Sequence, residues 1–158
     1  MANRHTNAQA STRGEKIAGW TARVAVAVVF VLNVQCALSF VWWPSAYAAG
    51  FELADAGVAG EAAVRGLGIA FLMWNVTYPA VIANPRRFRS LYVVVLVQQV
   101  VGLVGESWVR AALPAGHATL AASIERFILF DAVGLALMTA AFVALALVDR
   151  HVGRSISD

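Results

Sequence analysis

The side chains in this chain that could carry chemistry are few, and they stand among apolar neighbours. Glu106 and Asp131 offer carboxyl groups, Asn75, Gln98 and Gln99 offer amides, Arg65 offers a guanidinium, and Cys36 is the single thiol. A carboxyl in an apolar stretch can exchange a proton or balance the charge of a ligand. It costs about 3 kcal/mol to hold near the centre of a membrane helix, so such groups face a bundle interior and mark function or packing. Other chemistries are excluded. One cysteine cannot close an intramolecular disulfide. The three histidines, His5, His117 and His151, lie in a tail, a turn and the far end, so no pair of axial haem ligands forms inside a bundle. There is no Glu-x-x-His pair for a carboxylate-bridged metal site, and no P-loop, GxSxG or HExxH motif.

The spacing of these residues gives them directions. At about 100° per residue, Gln98, Gln99, Gly102, Gly105 and Glu106 fall at about 0°, 100°, 40°, −20° and 80°, one face of a helix. Glycines on that face let a second helix come close, and the amides and carboxyl then meet it. Arg65, Gly68 and Asn75 share another face, at about 0°, −60° and −80°. Arg65 either snorkels to an interface or turns inward to pair with Glu106. Ile124, Phe127, Asp131, Gly134, Met138 and Phe142 form a third stripe, with Arg126 about 140° from Asp131 and directed to headgroups. The expected partner of Asp131 is Arg65 or an amide of the glutamine pair. Asn33, Cys36 and Phe40 form a fourth face, with Gln35 off to one side. Pro79 cannot donate to the carbonyl of Asn75, which predicts a kink and a free carbonyl there; Asn75 and Tyr78 could line a small polar cavity. The cluster Arg65, Asn75, Gln98, Gln99, Glu106 and Asp131 has two readings, ligand contact or interhelical glue.

The elements that must position these residues are legible in the composition. Of 158 residues, 60% are hydrophobic and 13% charged, and the mean hydropathy is +0.70. An ordinary globular domain has about 45–50% apolar and about 25% charged residues. A membrane span takes about 20 apolar residues. Four spans are predicted, over about 20–43, 62–83, 90–112 and 119–148, as an all-α, polytopic four-helix bundle of 17–148. Residues 1–16 are read as a disordered cytoplasmic tail and 149–158 as a second one. Trp42-Trp43-Pro44 suits a headgroup boundary. Ala46-Tyr47-Ala48 also fits a signal-peptide cleavage site, but the apolar core before it, about 18 residues, exceeds the usual 7–15.

Nine of the twelve basic residues (Arg4, Arg13, Lys16, Arg23, Arg86, Arg87, Arg89, Arg150 and Arg154) fall at one end of such a bundle, and Glu52, Asp55 and Glu61 at the other. The positive-inside rule then puts both termini in the cytoplasm, as an even number of spans requires. The net charge of +3 is explained by orientation rather than by nucleic acid. Eleven arginines against one lysine, with abundant alanine and valine, suggest a GC-rich bacterial genome and so the inner (plasma) membrane.

The layout resembles the small DoxX-like and BphX-like bacterial membrane proteins, four-span bundles whose glycine-containing second helix begins with an arginine. The resemblance covers about residues 20–148. It rests on Arg65-Gly66-Leu67-Gly68, Phe71-Leu72-Met73-Trp74-Asn75, Gln98-Gln99 with Gly102 and Gly105-Glu106, and Phe130-Asp131-Ala132-Val133-Gly134. It implies links to quinone-dependent oxidation, oxidative-stress assemblies or aromatic degradation, and it supplies no catalytic residue.

Three functions remain. The first is a non-enzymatic accessory or small-ligand-binding subunit of an inner-membrane complex. The second is a small proton-coupled carrier using Asp131 and Glu106, which with four spans would need a homo-oligomer. The third is a quinone-interacting oxidoreductase subunit, since an apolar pocket with a carboxyl and an amide suits a quinone head. No resident cofactor is predicted, and neither a metal site nor a catalytic residue is assigned.

Overall fold

The computed structural model describes the backbone of residues 2–157 and the side chains of residues 13–151. Among the described residues it is all-helical. Four helical stretches are long and apolar enough to cross a membrane: Arg13–Trp42, Val58–Ala83, Arg89–Ala112 and Ala118–His151. Their ends fall within four residues of the four predicted spans, except that the first begins at Arg13 rather than about residue 20. The tail expected over 1–16 lies outside the residues with described side chains except for 13–16, which continue the first helix; all of 149–158 beyond His151 lies outside them too.

The elements are α1 (Ala2–Trp42), a short α2 (Pro44–Ala48), two 3-10 turns (Ala49–Phe51 and Ala54–Ala56), α3 (Val58–Trp74), a 3-10 turn (Asn75–Thr77), α4 (Tyr78–Ala83), α5 (Arg89–Ala112) and α6 (Ala118–Ser157). The chain runs up and down. At one end Arg86, in the turn before α5, donates to Asp149 of α6 at 2.9 Å and to the Glu15 carbonyl of α1 at 2.8 Å, so both ends of the described chain lie together. At the opposite end Ser123 of α6 donates to the Gly50 carbonyl at 2.7 Å. These are called the terminal end and the cap end below.

Proline sets the breaks. Asn84 is extended ahead of Pro85, as the residue before proline prefers, and its Oδ1 accepts the Arg87 N–H at 3.0 Å. Leu113 is likewise extended ahead of Pro114. Pro44 opens α2 at a position where its missing N–H costs nothing. Residues 44–56, between the first two predicted spans, fold mostly into helical turns over the cap end.

Pro79 breaks the second span as predicted, but the freed carbonyl is not left free. The chain tightens into a 3-10 turn over Asn75–Thr77, and the Tyr78 N–H donates to the Asn75 carbonyl. The break divides the work of this span. Below it α4 packs on α1 and α5; above it α3 packs on α1 and α2 and parts from α5. Gly68 permits the α3–α1 approach, since a Cβ there would stand 2.7 Å from the Ala37 carbonyl oxygen and 2.9 Å from the Phe40 Cβ.

Two cores result. In the terminal half, Ala18, Ala22, Ala25, Val26 and Val29 of α1 meet Tyr78, Val81, Tyr92, Val95, Met138 and Leu145. The small residues on α1 bring the backbones close, which matters where lipid removes any hydrophobic drive between helices. The Tyr92 hydroxyl is satisfied by the Met138 carbonyl at 3.0 Å. In the cap half, Phe40, Ala48 and Val64 form a smaller core among Phe51, Leu67, Phe71 and Phe127. Outward faces are apolar: Val31, Val76, Val97, Val104, Leu129 and Val133 are all exposed.

Candidate functional site

The parting of α3 from α5 leaves a cavity of about 710 Å³ in the cap half. All four membrane-length stretches and the cap contribute to its wall. Five of the six residues of the predicted cluster line it: Asn75, Gln98, Gln99, Glu106 and Asp131. The sixth, Arg65, does not. It is exposed, and its Nε donates to the Val41 carbonyl at 3.2 Å. The pairing of Arg65 with Glu106 is therefore corrected. The guanidinium sits near the cap end of α3 and is satisfied by the end of α1 instead.

The amides are placed by the broken span. Gln98 accepts from the Thr77 hydroxyl at 3.3 Å and donates to the Trp74 carbonyl at 3.4 Å, stitching α5 to the 3-10 turn. Gln99, only 4% exposed, accepts from the Tyr78 hydroxyl at 3.3 Å and donates to Asp131 Oδ1 at 2.6 Å. The amide partner expected for Asp131 is thus Gln99, and Tyr78–Gln99–Asp131 is one hydrogen-bonded chain across three helices. The Asp131 carboxyl lies against bare α5 backbone, because a Cβ on Gly102 would stand 2.5 Å from its Oδ2. At Gly134 a Cβ would stand 3.4 Å from the Gln99 Nε2, an ordinary contact, so that glycine is not required in the same way. Gly105 faces open space and plays no such part.

Among the described residues, two buried side-chain oxygens have no hydrogen-bond partner: Asn75 Oδ1 and Glu106 Oε2. Asn75 is 3% exposed, and its amide nitrogen is committed to the Phe71 carbonyl at 2.8 Å. A carbonyl only accepts, so this bond fixes the amide orientation and leaves the oxygen as the unpaired atom. An orphaned buried acceptor costs about 1–3 kcal/mol, and native structures hold few of them.

The remaining wall is largely aromatic. Phe40 is the hub, with ring centroids 5.0 Å from Tyr47, 5.6 Å from Phe51, 6.1 Å from Phe71 and 6.2 Å from Phe127. Trp74 and Phe130 extend the lining. Cys36 and Asn33 also line the cavity, as their shared face predicts, and Gln35 joins them despite its offset. Arg126 reaches the cavity wall rather than pointing only to headgroups. Its Nε donates to the Ala122 carbonyl at 3.3 Å, and it makes no ion pair among the described residues.

Tyr47, Gly50 and Phe51 close the cavity from the cap, a contribution the sequence reading did not foresee. The cap is latched to α6 by Glu52, which accepts the Leu120 N–H at 3.1 Å and meets His117 Nδ1 at 2.5 Å. These bonds, the His117 contact first, hold the Glu52 carboxyl below the ordinary glutamate range. Among the described residues, no three His, Cys, Asp or Glu side chains gather closely enough to hold a metal ion.

No known family, curated protein or solved structure matches the chain in the comparisons made.

Proposed function

We propose that this chain is a multi-pass protein of the inner membrane, with both termini cytoplasmic, and that its cap-half cavity binds a small amphiphilic ligand. On this reading it is a ligand-binding accessory or complex subunit rather than an enzyme. The observation that carries the reading is the cavity itself. Its volume of about 710 Å³ lies within the roughly 300–1,000 Å³ of small-molecule sites, which are mostly apolar walls with a few convergent polar groups. The buried, unpartnered Asn75 oxygen gives such a ligand a bond to make.

Membrane insertion is supported by the apolar outward faces and by tryptophans at the helix ends. Trp42, Trp43 and Trp108 stand exposed at the cap end and Trp20 near the other, the positions that amphipathic rings take at headgroups. Orientation is supported by the gathering of Arg86, Arg87 and Arg89 at the terminal end. Retention of α1 is supported by its contribution to both cores, which cleavage after Ala48 would dismantle. The resemblance to DoxX-like and BphX-like proteins agrees with a small membrane partner of this kind.

The test is mass spectrometry of the protein purified from its native membrane in mild detergent. A stoichiometric small molecule is expected, and it should slow maleimide labelling of Cys36, the single thiol and part of the cavity wall. Empty protein whose Cys36 labels at one rate with and without membrane extract would end the proposal. A second reading, a proton-coupled carrier, is favoured by one observation: two carboxyls of the membrane-length stretches, Glu106 and Asp131, face the same cavity. Flux in proteoliposomes that survives Glu106→Gln with Asp131→Asn removes it.

A further inference from the structure

The carboxyls of the cavity stand without a charge partner. Three of its amide nitrogens are engaged by the protein, that of Asn75 with Phe71, that of Gln98 with Trp74 and that of Gln99 with Asp131, while the amides of Asn33 and Gln35 and the Arg126 guanidinium also line the wall. Among the described residues, the buried side-chain atoms left without a hydrogen-bond partner are both oxygens, Asn75 Oδ1 and Glu106 Oε2. Neither Glu106 nor Asp131 has a cationic group within ion-pairing distance among the described residues. Glu106 and Asp131 are half-buried, and a positive charge between them would favour their ionised form. The rings that complete the wall present faces with negative quadrupoles, which attract cations.

We propose that the ligand of this cavity is an organic cation, an ammonium or similar onium centre carrying apolar groups. The inference rests on the cavity being a ligand site. The positive centre sits between Glu106 and Asp131 and is enclosed by rings such as Phe40, Phe71 and Phe127. A ligand bearing an N–H also donates to Asn75 Oδ1. Arg126, at the wall with its own positive charge, opposes the ligand and tunes its affinity downward. An organic anion would meet repulsion from both carboxylates.

The experiment uses two probes of nearly equal size and shape and opposite charge, tetraphenylphosphonium and tetraphenylborate. Each is titrated calorimetrically into the full chain in nanodiscs of zwitterionic lipid, with empty nanodiscs subtracted. The phosphonium is expected to bind at least about tenfold more tightly, about 1.4 kcal/mol. Glu106→Gln with Asp131→Asn should abolish the preference. Arg126→Gln should strengthen phosphonium binding several-fold, a gain that misfolding cannot imitate. Equal or tighter binding of the borate overturns the charge assignment while leaving a ligand site in place. So does an Arg126→Gln variant that binds the phosphonium no better. Failure of both probes to bind overturns the inference, and only together with empty protein from native membrane does it overturn the ligand site as well.

Discussion

The two halves of this bundle are built from the same four helical stretches, yet they solve different problems. In the terminal half, small and β-branched residues of α1 meet Met138, Leu145 and Tyr92, all at 1% exposure or less, and the deep hydroxyls of Tyr78 and Tyr92 are both paired. In the cap half the same helices part around a cavity whose wall holds two carboxyls and two unpartnered oxygens. The switch between them is the 3-10 turn at Asn75–Thr77, imposed by Pro79. Below it the second span leans on α5, and above it the span leans away. One half is arranged for cohesion. The other keeps polar groups that cohesion alone would replace with well-packed apolar side chains.

The largest expected effects follow from that division. Met138→Ala removes a fully buried side chain from the tight half and should cost about 2–5 kcal/mol. Glu106→Gln, in the open half, should leave thermal unfolding in detergent nearly unchanged and should lower occupancy of the cavity. Melting curves and ligand content measured on both variants decide the matter. If Met138→Ala melts like the parent while Glu106→Gln collapses, the roles of the halves are reversed.

A sharper comparison lies on one face of α5. Gly102 and Gly105 look alike in sequence, one turn apart on the glutamine–glutamate face. A methyl at Gly102 would strike the Asp131 carboxyl, whereas one at Gly105 meets nothing within 4 Å. Gly102→Ala should therefore displace Asp131, loosen its bond to Gln99 and weaken ligand binding several-fold. Gly105→Ala should bind normally and gain slightly in stability, by up to about 1 kcal/mol from helix propensity. Equal binding by the two variants would show that the close carboxyl–backbone approach is unimportant.

How much of this was legible beforehand depended on whether a feature is local. Helix-length apolar runs and proline breaks are local, and the four spans stand where the sequence puts them. Helical periodicity is local too, so Gln98, Gln99, Gly102 and Glu106 do share an inward face, and Asp131 does meet an amide. Of the two alternatives for Arg65, the outward one fits its exposed place at the cap end, where the end of α1 offers the Val41 carbonyl, a partner no spacing rule names. The Asn75 carbonyl was expected to be free because the proline rule counts only α-helical bonds, and a 3-10 turn supplies another. Arg126 was sent to headgroups by its angle from Asp131, but α6 borders a cavity wide enough for both directions to reach it. The cap was missed because its ordering comes from contacts far apart in sequence, such as Ser123 with Gly50 and Glu52 with Leu120. Pro44 was the local signal that a helical turn starts there.

The smallest predicted effect concerns that cap. Glu52 has a folded carboxyl value below its unfolded one, so its contribution to the latch is present in full above the ordinary glutamate range. It is lost as the pH falls through the lowered folded value. The group is exposed, so salt weakens the effect and global stability should barely move. The local consequence is measurable. Hydrogen exchange at the Leu120 amide, which Glu52 holds at 3.1 Å, should accelerate relative to buried α6 amides once the pH drops below the carboxylate range. Glu52→Gln should already show part of that acceleration at neutral pH, because the amide retains an acceptor but loses the charge that favours His117. Exchange at Leu120 that tracks the rest of α6 at every pH, in both proteins, would mean that the cap is held by Tyr47 and Phe51 packing on Phe40 rather than by this ionic latch.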